Sequence, residues 1–239
     1  MSTENQSVCA VVVAAGSSRR MGGENKLLLP LCGKPVLAHT LTAFQMCGAV
    51  RDIVLVCREQ DMEVYRTLAA ENGITKLRTL TRGGDTRTES VLAGVSAASE
   101  ACALVAVHDG ARPLVSDEVI TQAVDEAAKT GAAAPVVPVK DSIKRIENGK
   151  IVADVPRDTL AAVQTPQVFR AELLRRAYET EYRPEFTDDA SVVELSGEAV
   201  FLCEGERANL KITTPEDTVI AEALLADREE THETDGENI

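Results

Sequence analysis

The run Val8-Cys9-Ala10-Val11-Val12-Val13-Ala14-Ala15-Gly16, followed by Ser17-Ser18-Arg19-Arg20-Met21-Gly22-Gly23 and then Lys26, decides how the chain is read. Its apolar, β-branched first half shows no polar alternation, which is the pattern of a strand buried on both faces. Small residues then take over. At the carboxyl end of a strand they let the backbone approach a ligand closely, and successive N–H groups there form a concavity for an anion. The fixed cations Arg19, Arg20 and Lys26 behind them suit a polyphosphate. Neither Gly-x-Gly-x-x-Gly nor Gly-x-x-x-x-Gly-Lys-Ser/Thr is present, so a dinucleotide fingerprint and a P-loop are both unsupported.

Further apolar runs lie at Ile53 to Cys57, Ala103 to Val107, Ala132 to Val139 and Ala199 to Cys203. Between them are stretches of helical spacing: Pro35 to Cys47, Asp61 to Asn72, Thr86 to Ser99 and Asp117 to Thr130. In the first, Pro35 stands just inside the start, and Leu37, Leu41 and Phe44 share a face. Strands alternating with helices predict an α/β fold, a Rossmann-like, mostly parallel sheet with helices on both faces.

Lys140 to Arg157 breaks the rhythm. Strand-like Ser142 to Ile146 and Lys150 to Val155 flank Glu147-Asn148-Gly149, and Asn-Gly is a strong hairpin signal. An isolated two-stranded hairpin is only marginally stable. The segment 138–159 is therefore expected to be a projecting arm that meets a second subunit, within a single domain spanning 8–226. Residues 1–7 and 227–239 are expected to be disordered tails, the second carrying Asp227, Glu229, Glu230, Glu233, Asp235 and Glu237.

The net charge of −13 argues against nucleic acid or an anionic membrane as a partner. No apolar run approaches the roughly 20 residues of a membrane span, and Met1 to Ser7 lacks the pattern of a signal peptide, so a cytoplasmic location is expected. The six scattered cysteines form no Cys-x-x-Cys pair and read as reduced packing residues.

A second constellation adds to the phosphate loop. The strand Ala103 to Val107 ends in His108-Asp109-Gly110-Ala111-Arg112-Pro113, which an open parallel sheet brings to the same carboxyl edge. An Asp there can hold magnesium, or another divalent cation, through oxygen while phosphate oxygens complete the shell. An Asp-Gly turn that only ends the strand is the simpler alternative. His108 reads as packed or capping, with no role in proton transfer.

These blocks do not stand alone. Ala14-Ala15-Gly16 with Arg20-Met21 and Lys26 is followed by Gly83-Gly84-Asp85 with Arg87 and Ser90-Val91, and then by the His108 to Pro113 block. Asp141-Ser142-Ile143-Lys144, Gln164-Thr165-Pro166-Gln167, Thr187-Asp188-Asp189-Ala190-Ser191 and Asn209-Leu210-Lys211-Ile212-Thr213 come after them. In this order, from Val8 to about Ala226, they resemble the 2-C-methyl-D-erythritol 4-phosphate cytidylyltransferases of the non-mevalonate isoprenoid pathway.

The resemblance implies a nucleotidyltransferase domain that moves CMP from CTP to 2-C-methyl-D-erythritol 4-phosphate, with magnesium, as a homodimer. Ala14, Ala15 and Gly16 would wrap the triphosphate, and Gly84, Asp85 and Ser90 would surround the cytosine and its sugar. Asp109 and Arg112 would sit at the metal and nucleotide, and Arg20 and Lys26 would stabilise the transition state. Arg157 and Lys211, with Thr165 and Thr187, would orient the acceptor phosphate. This chain departs from the family pattern at Gly22-Gly23-Glu24-Asn25, which is one residue shorter than in many relatives and lacks the frequent Pro-Lys-Gln at the lysine.

The residue types suit that reaction. An attacking phosphate is already anionic near neutral pH and needs no strong general base, which fits a chain whose only histidines are His39, His108 and His232. The difficulty is bringing two polyanions together, which Arg, Lys and magnesium address. A ribitol 5-phosphate cytidylyltransferase remains an alternative, as does a catalytically silent nucleotide-binding module. An NAD-dependent oxidoreductase lacks its fingerprint.

Overall fold

The computed structural model describes residues 7–16, 25–180 and 186–236. Arg19 and Arg20, and the parts of the expected tails at 1–6 and 237–239, lie outside the described residues. The central sheet has eight strands. In it β1 (Val8–Ala14) lies between β4 (Val50–Cys57) and β6 (Leu104–Asp109), with β5 (Leu77–Arg82) outside β4, all parallel. Beyond β6, β11 (Gln167–Arg170) runs antiparallel between β6 and β7 (Ala132–Pro138). Against β7 lie β10 (Ala161–Val163), antiparallel, and β12 (Phe201–Glu204), parallel.

Burial on both faces follows from the period of two along each strand. From β1, Val8, Ala10, Val12 and Ala14 enter one core, with Phe44 of α1 (Val36–Met46), Tyr65 of α2 (Met62–Glu71) and Ile120 of α4 (Asp117–Thr130). Cys9 and Val11 enter the other, with Val91 of α3 (Arg87–Ala97), Leu174 of α5 (Ala171–Thr180) and Val192 of α6 (Asp189–Leu195). Among the described residues no helix is long and apolar enough to cross a membrane.

The boundaries differ from expectation at three places. Pro35 does not open the first helix from inside. It belongs to β3 (Lys34–Pro35), which pairs with β2 (Pro30–Leu31), and it caps α1. The last strand starts at Phe201, past the expected Ala199. The expected acidic tail is helical to Gly236 as part of α7 (Pro215–Gly236), because strong helix formers such as Glu and Arg continue the turn after Leu225.

The hairpin pairs β8 (Ile143–Glu147) with β9 (Lys150–Val155) as a separate two-stranded sheet. Its turn residues Asn148 and Gly149 have φ of 50° and 75°, the doubly left-handed turn whose twist matches that of the strands. Ile146, Ile151 and Val152 are exposed on it.

Candidate active site

β1 and β6 end side by side. Val13 is in register with Asp109, and the Gly110 N–H donates to the Val13 carbonyl at 2.9 Å. The parallel register therefore delivers Ala14-Ala15-Gly16 and Asp109 to Arg112 to one carboxyl edge, the place where open α/β sheets bind ligands.

The turn after β5 seats on the same edge. A Cβ on Gly83 would stand 2.6 Å from Ala15 Cβ and 2.7 Å from Ser90 Oγ, so only glycine lets this turn meet the phosphate loop. α3 then opens with a capping box. Thr86 Oγ1 accepts from Glu89 N at 3.1 Å, while Glu89 Oε2 accepts from Thr86 N at 3.1 Å and from Asp85 N at 2.7 Å. Glu89 thereby fixes the Asp85 backbone. Gly84 and Asp85 are exposed, and the buried Ser90 hydroxyl donates to the Thr86 carbonyl at 2.9 Å.

Asp109 is the electrostatic centre. Lys211 Nζ lies 2.8 Å and Arg112 Nε 3.6 Å from its Oδ2, and Arg87 Nε lies 3.8 Å from its Oδ1. Burial alone would favour the neutral acid. The cations, Lys211 foremost, outweigh it and hold the carboxyl well below its ordinary value of 3.8, so Asp109 is an anion at neutral pH.

Arg87 reaches behind this group. One guanidinium nitrogen donates to Asp189 Oδ2 at 2.8 Å, and Tyr178 O–H donates to Asp189 Oδ1 at 2.5 Å. Asp189 is fully buried, and its backbone N–H donates to Gln167 Oε1 at 3.0 Å. Burial weakens the Arg87 cation, but Asp189 and then Asp109 more than restore it, raising its pKa above the ordinary value.

His108 organises the backbone at Asp109. Its Nε2 faces the Arg112 carbonyl at 3.2 Å, and a carbonyl can only accept, so Nε2 carries the proton. Burial pushes the ring pKa down to about 4, leaving Nδ1 unprotonated. Nδ1 accepts from Thr165 O–H at 3.0 Å, and the Thr165 oxygen accepts from Asp109 N–H at 3.1 Å. Thr165, expected at the acceptor, thus holds the Asp109 main chain from a buried position.

Lys211 and Lys26 converge from opposite ends of the chain. Ile212 N–H donates to the Ala111 carbonyl at 2.8 Å, and Lys26 Nζ donates to the Ile212 carbonyl at 2.6 Å. Arg112 donates to the Asn209 carbonyl at 2.7 Å, and Asn209 Nδ2 donates to the Thr165 carbonyl at 2.9 Å. Among the described residues Arg112 Nε has no hydrogen-bond partner. It is a buried donor 3.6 Å from Asp109 Oδ2, within ion-pair range.

Among the described residues, then, Ala14, Ala15, Gly16, Gly84, Asp85 and Ser90 share one flank of the edge, and Asp109, Arg112, Thr165, Lys211 and Lys26 share the other. Among the described residues no hydrogen bond or ion pair joins Arg157 to either flank. It is exposed at the foot of the hairpin and donates to the Lys140 carbonyl at 2.7 Å. Thr187 is exposed just before α6. Arg20 lies outside the described residues.

Sequence reasoning gave no role to Arg87, Glu89, Tyr178 or Asp189. The Thr86-x-x-Glu89 spacing signals the capping box. Nothing in the spacing signals that Arg87 and Asp189 meet.

Asp109, its side chain 12% exposed, offers a carboxylate on this edge, whereas both oxygens of the fully buried Asp189 are engaged. That donor set suits a hard cation that keeps several waters and takes its other ligands from phosphate, and does not make an all-protein cage.

Residues 8–227 match the family model described as IspD: 2-C-methyl-D-erythritol 4-phosphate cytidylyltransferase. The chain is 44% identical over 222 residues to the 2-C-methyl-D-erythritol 4-phosphate cytidylyltransferase of Dehalococcoides mccartyi, covering 92% of this chain and 97% of the relative. That of Bacteroides fragilis is 44% identical over 218 residues, covering 90% and 98%. Among solved structures, the 4-diphosphocytidyl-2C-methyl-D-erythritol synthase of Anaerococcus prevotii superposes with a TM-score of 0.83 at 29% identity, over 94% of this chain and 98% of that one. The Thermus thermophilus 2-C-methyl-D-erythritol 4-phosphate cytidylyltransferase gives 0.74 at 34% identity, over 92% and 98%.

Proposed function

This chain belongs to the 2-C-methyl-D-erythritol 4-phosphate cytidylyltransferase family, and from that premise we propose how its own residues carry out the transfer of CMP from CTP to 2-C-methyl-D-erythritol 4-phosphate. The chain is a nucleotidyltransferase. The observation that carries the proposal is the Asp109 cluster, with Lys211, Arg112 and Arg87 around one carboxylate beside the Ala14 to Gly16 turn.

The turn at Ala14, Ala15 and Gly16 receives the CTP phosphates on backbone N–H groups. Gly84, Asp85 and Ser90, on the same flank, receive the nucleoside. An oxygen of the acceptor phosphate attacks the α-phosphorus. A new P–O bond forms there as the bond to the bridging α–β oxygen breaks, and pyrophosphate leaves with that electron pair. The attacking oxygen is already anionic, so no side chain has to remove a proton. This agrees with His108 being buried and neutral.

Lys26, and Arg20 by the family resemblance, would stabilise the charge that grows as pyrophosphate departs, and a lysine point charge can follow that shift. Lys211, now on Asp109, and Arg157 take the acceptor phosphate. Asp109 would hold magnesium, which when bound neutralises phosphate charge and orients the triphosphate. The exposed apolar hairpin and the exposed Arg157 at its foot fit a homodimer in which the arm completes the neighbouring site.

The test is pyrophosphate release from CTP with 2-C-methyl-D-erythritol 4-phosphate against ribitol 5-phosphate, with magnesium present. The proposal expects release that depends on the erythritol acceptor. Equal or greater use of ribitol 5-phosphate overturns the acceptor assignment.

A further inference from the structure

Lys26 stands on a short 3-10 turn, Lys26–Leu28, whose cap is Asn25. Asn25 Oδ1 accepts from Leu27 N–H at 3.2 Å, and the amide also meets the Tyr65 hydroxyl, its nitrogen donating to Oη at 2.9 Å and Oδ1 lying 3.4 Å from the same oxygen. Tyr65 belongs to α2 and is fully buried in the core beneath it. Its hydroxyl is therefore a fixed point. Leu27, only 4% exposed, pegs the turn into the same core. Beside that peg, however, a groove of about 360 Å³ opens between Leu28 and Pro35 on one side and Val64 and Leu68 of α2 on the other. Apolar packing across the groove is loose, so the Tyr65–Asn25 bond is the directional tie between α2 and the turn.

We propose that Tyr65, acting through Asn25, is a positioning residue for Lys26. A peg at Leu27 fixes where the turn sits but not how it is rotated. The cap bond fixes the rotation and so aims the Lys26 side chain toward the edge where it meets the Ile212 carbonyl. The inference rests on the proposed role of Lys26 in CMP transfer.

The experiment compares Tyr65→Phe, Lys26→Ala and the double variant by steady-state pyrophosphate release with CTP and 2-C-methyl-D-erythritol 4-phosphate. Tyr65→Phe keeps the ring that fills the core and removes one hydroxyl. Asn25→Ala removes the same bond from the half-buried side, should the phenylalanine fail to fold. Loss of one aiming hydrogen bond is expected to lower kcat about three- to tenfold with the acceptor KM unchanged. On the Lys26→Ala background the hydroxyl has nothing left to aim, so Tyr65→Phe is expected to lower kcat no further. Amide exchange at Leu27 and Leu28 is expected to quicken in Tyr65→Phe.

Normal kcat in Tyr65→Phe beside an impaired Lys26→Ala overturns the positioning role alone. An equal further fall on the Lys26→Ala background also overturns it, because the hydroxyl then supports the fold in general. Full turnover by Lys26→Ala overturns the reading of Lys26 and this inference with it.

Discussion

Lowering the pH from 7.5 to 4 is expected to destabilise this protein through His108 in particular. The ring is fully buried, packs edge-on to Phe44 with centroids 4.8 Å apart, and has its pKa pushed from 6.5 to about 4 by burial. The unfolded chain therefore binds a proton at this residue at a higher pH than the folded chain does. Stability is fully present above 6.5, is lost as the pH falls from 6.5 toward about 4, and falls no further from this source below that. At about 1.4 kcal/mol per pH unit the loss is about 3 kcal/mol. Against a typical folding stability of about 5–15 kcal/mol this is a large share. The assay is urea unfolding from pH 7.5 to 4 for wild type and His108→Gln. Glutamine can still donate to the Arg112 carbonyl but does not titrate. The wild type is expected to lose about 3 kcal/mol more than His108→Gln across that range, although it starts more stable. Parallel pH profiles would refute the reasoning, because His108 would then not be buried neutral.

The remaining predictions concern the shell and the arm. Arg87→Ala leaves the fully buried Asp189 without its cation and is expected to cost about 3 kcal/mol in urea unfolding, the low end of the usual range because Arg87 is 24% exposed. Adding Asp189→Asn is expected to restore much of that, and strict additivity would contradict the pairing. Gly205→Ala brings a Cβ to 2.6 Å from Gln164 Oε1 and 3.0 Å from the Val136 carbonyl, and is expected to cost about 1–3 kcal/mol in the same assay. It is also expected to slow turnover, because Gln164 Oε1 accepts from Asn209, which braces Thr165. Mixing inactive Arg157→Ala with inactive Lys26→Ala is expected to restore part of the activity once subunits exchange. No recovery after proven exchange counts against a site completed by the arm.

Much of the fold is legible in the sequence because β1, β4 and β6 are buried on both faces and carry unbroken apolar runs. β5 is not, since Leu77-Arg78-Thr79-Leu80-Thr81-Arg82 is a half-exposed edge strand with polar alternation. Short β10 and β11 escape for lack of length. The hairpin is readable because Asn148-Gly149 specifies its turn, whereas the helical end of the chain is masked by acidic composition.

At the site, Asp109 and Arg112 are legible as a strand-end block. The roles of Arg87 and Asp189 are not, because 102 residues separate them and only α3 meeting α6 brings them together. Thr165 enters only through the family blocks, and its buried bonds to His108 and Asp109 depend on a contact 56 residues away.

Asp109 is the proposed anchor of the reacting centre. The measurement that tests it most directly is the magnesium dependence of pyrophosphate release by wild type and Asp109→Asn, with CTP and 2-C-methyl-D-erythritol 4-phosphate. Asparagine keeps the shape and removes the charge. A kcat lower by about a hundredfold or more, as for loss of a preorganised charge, and a higher magnesium requirement are expected. Wild-type turnover at wild-type magnesium in Asp109→Asn would contradict that role.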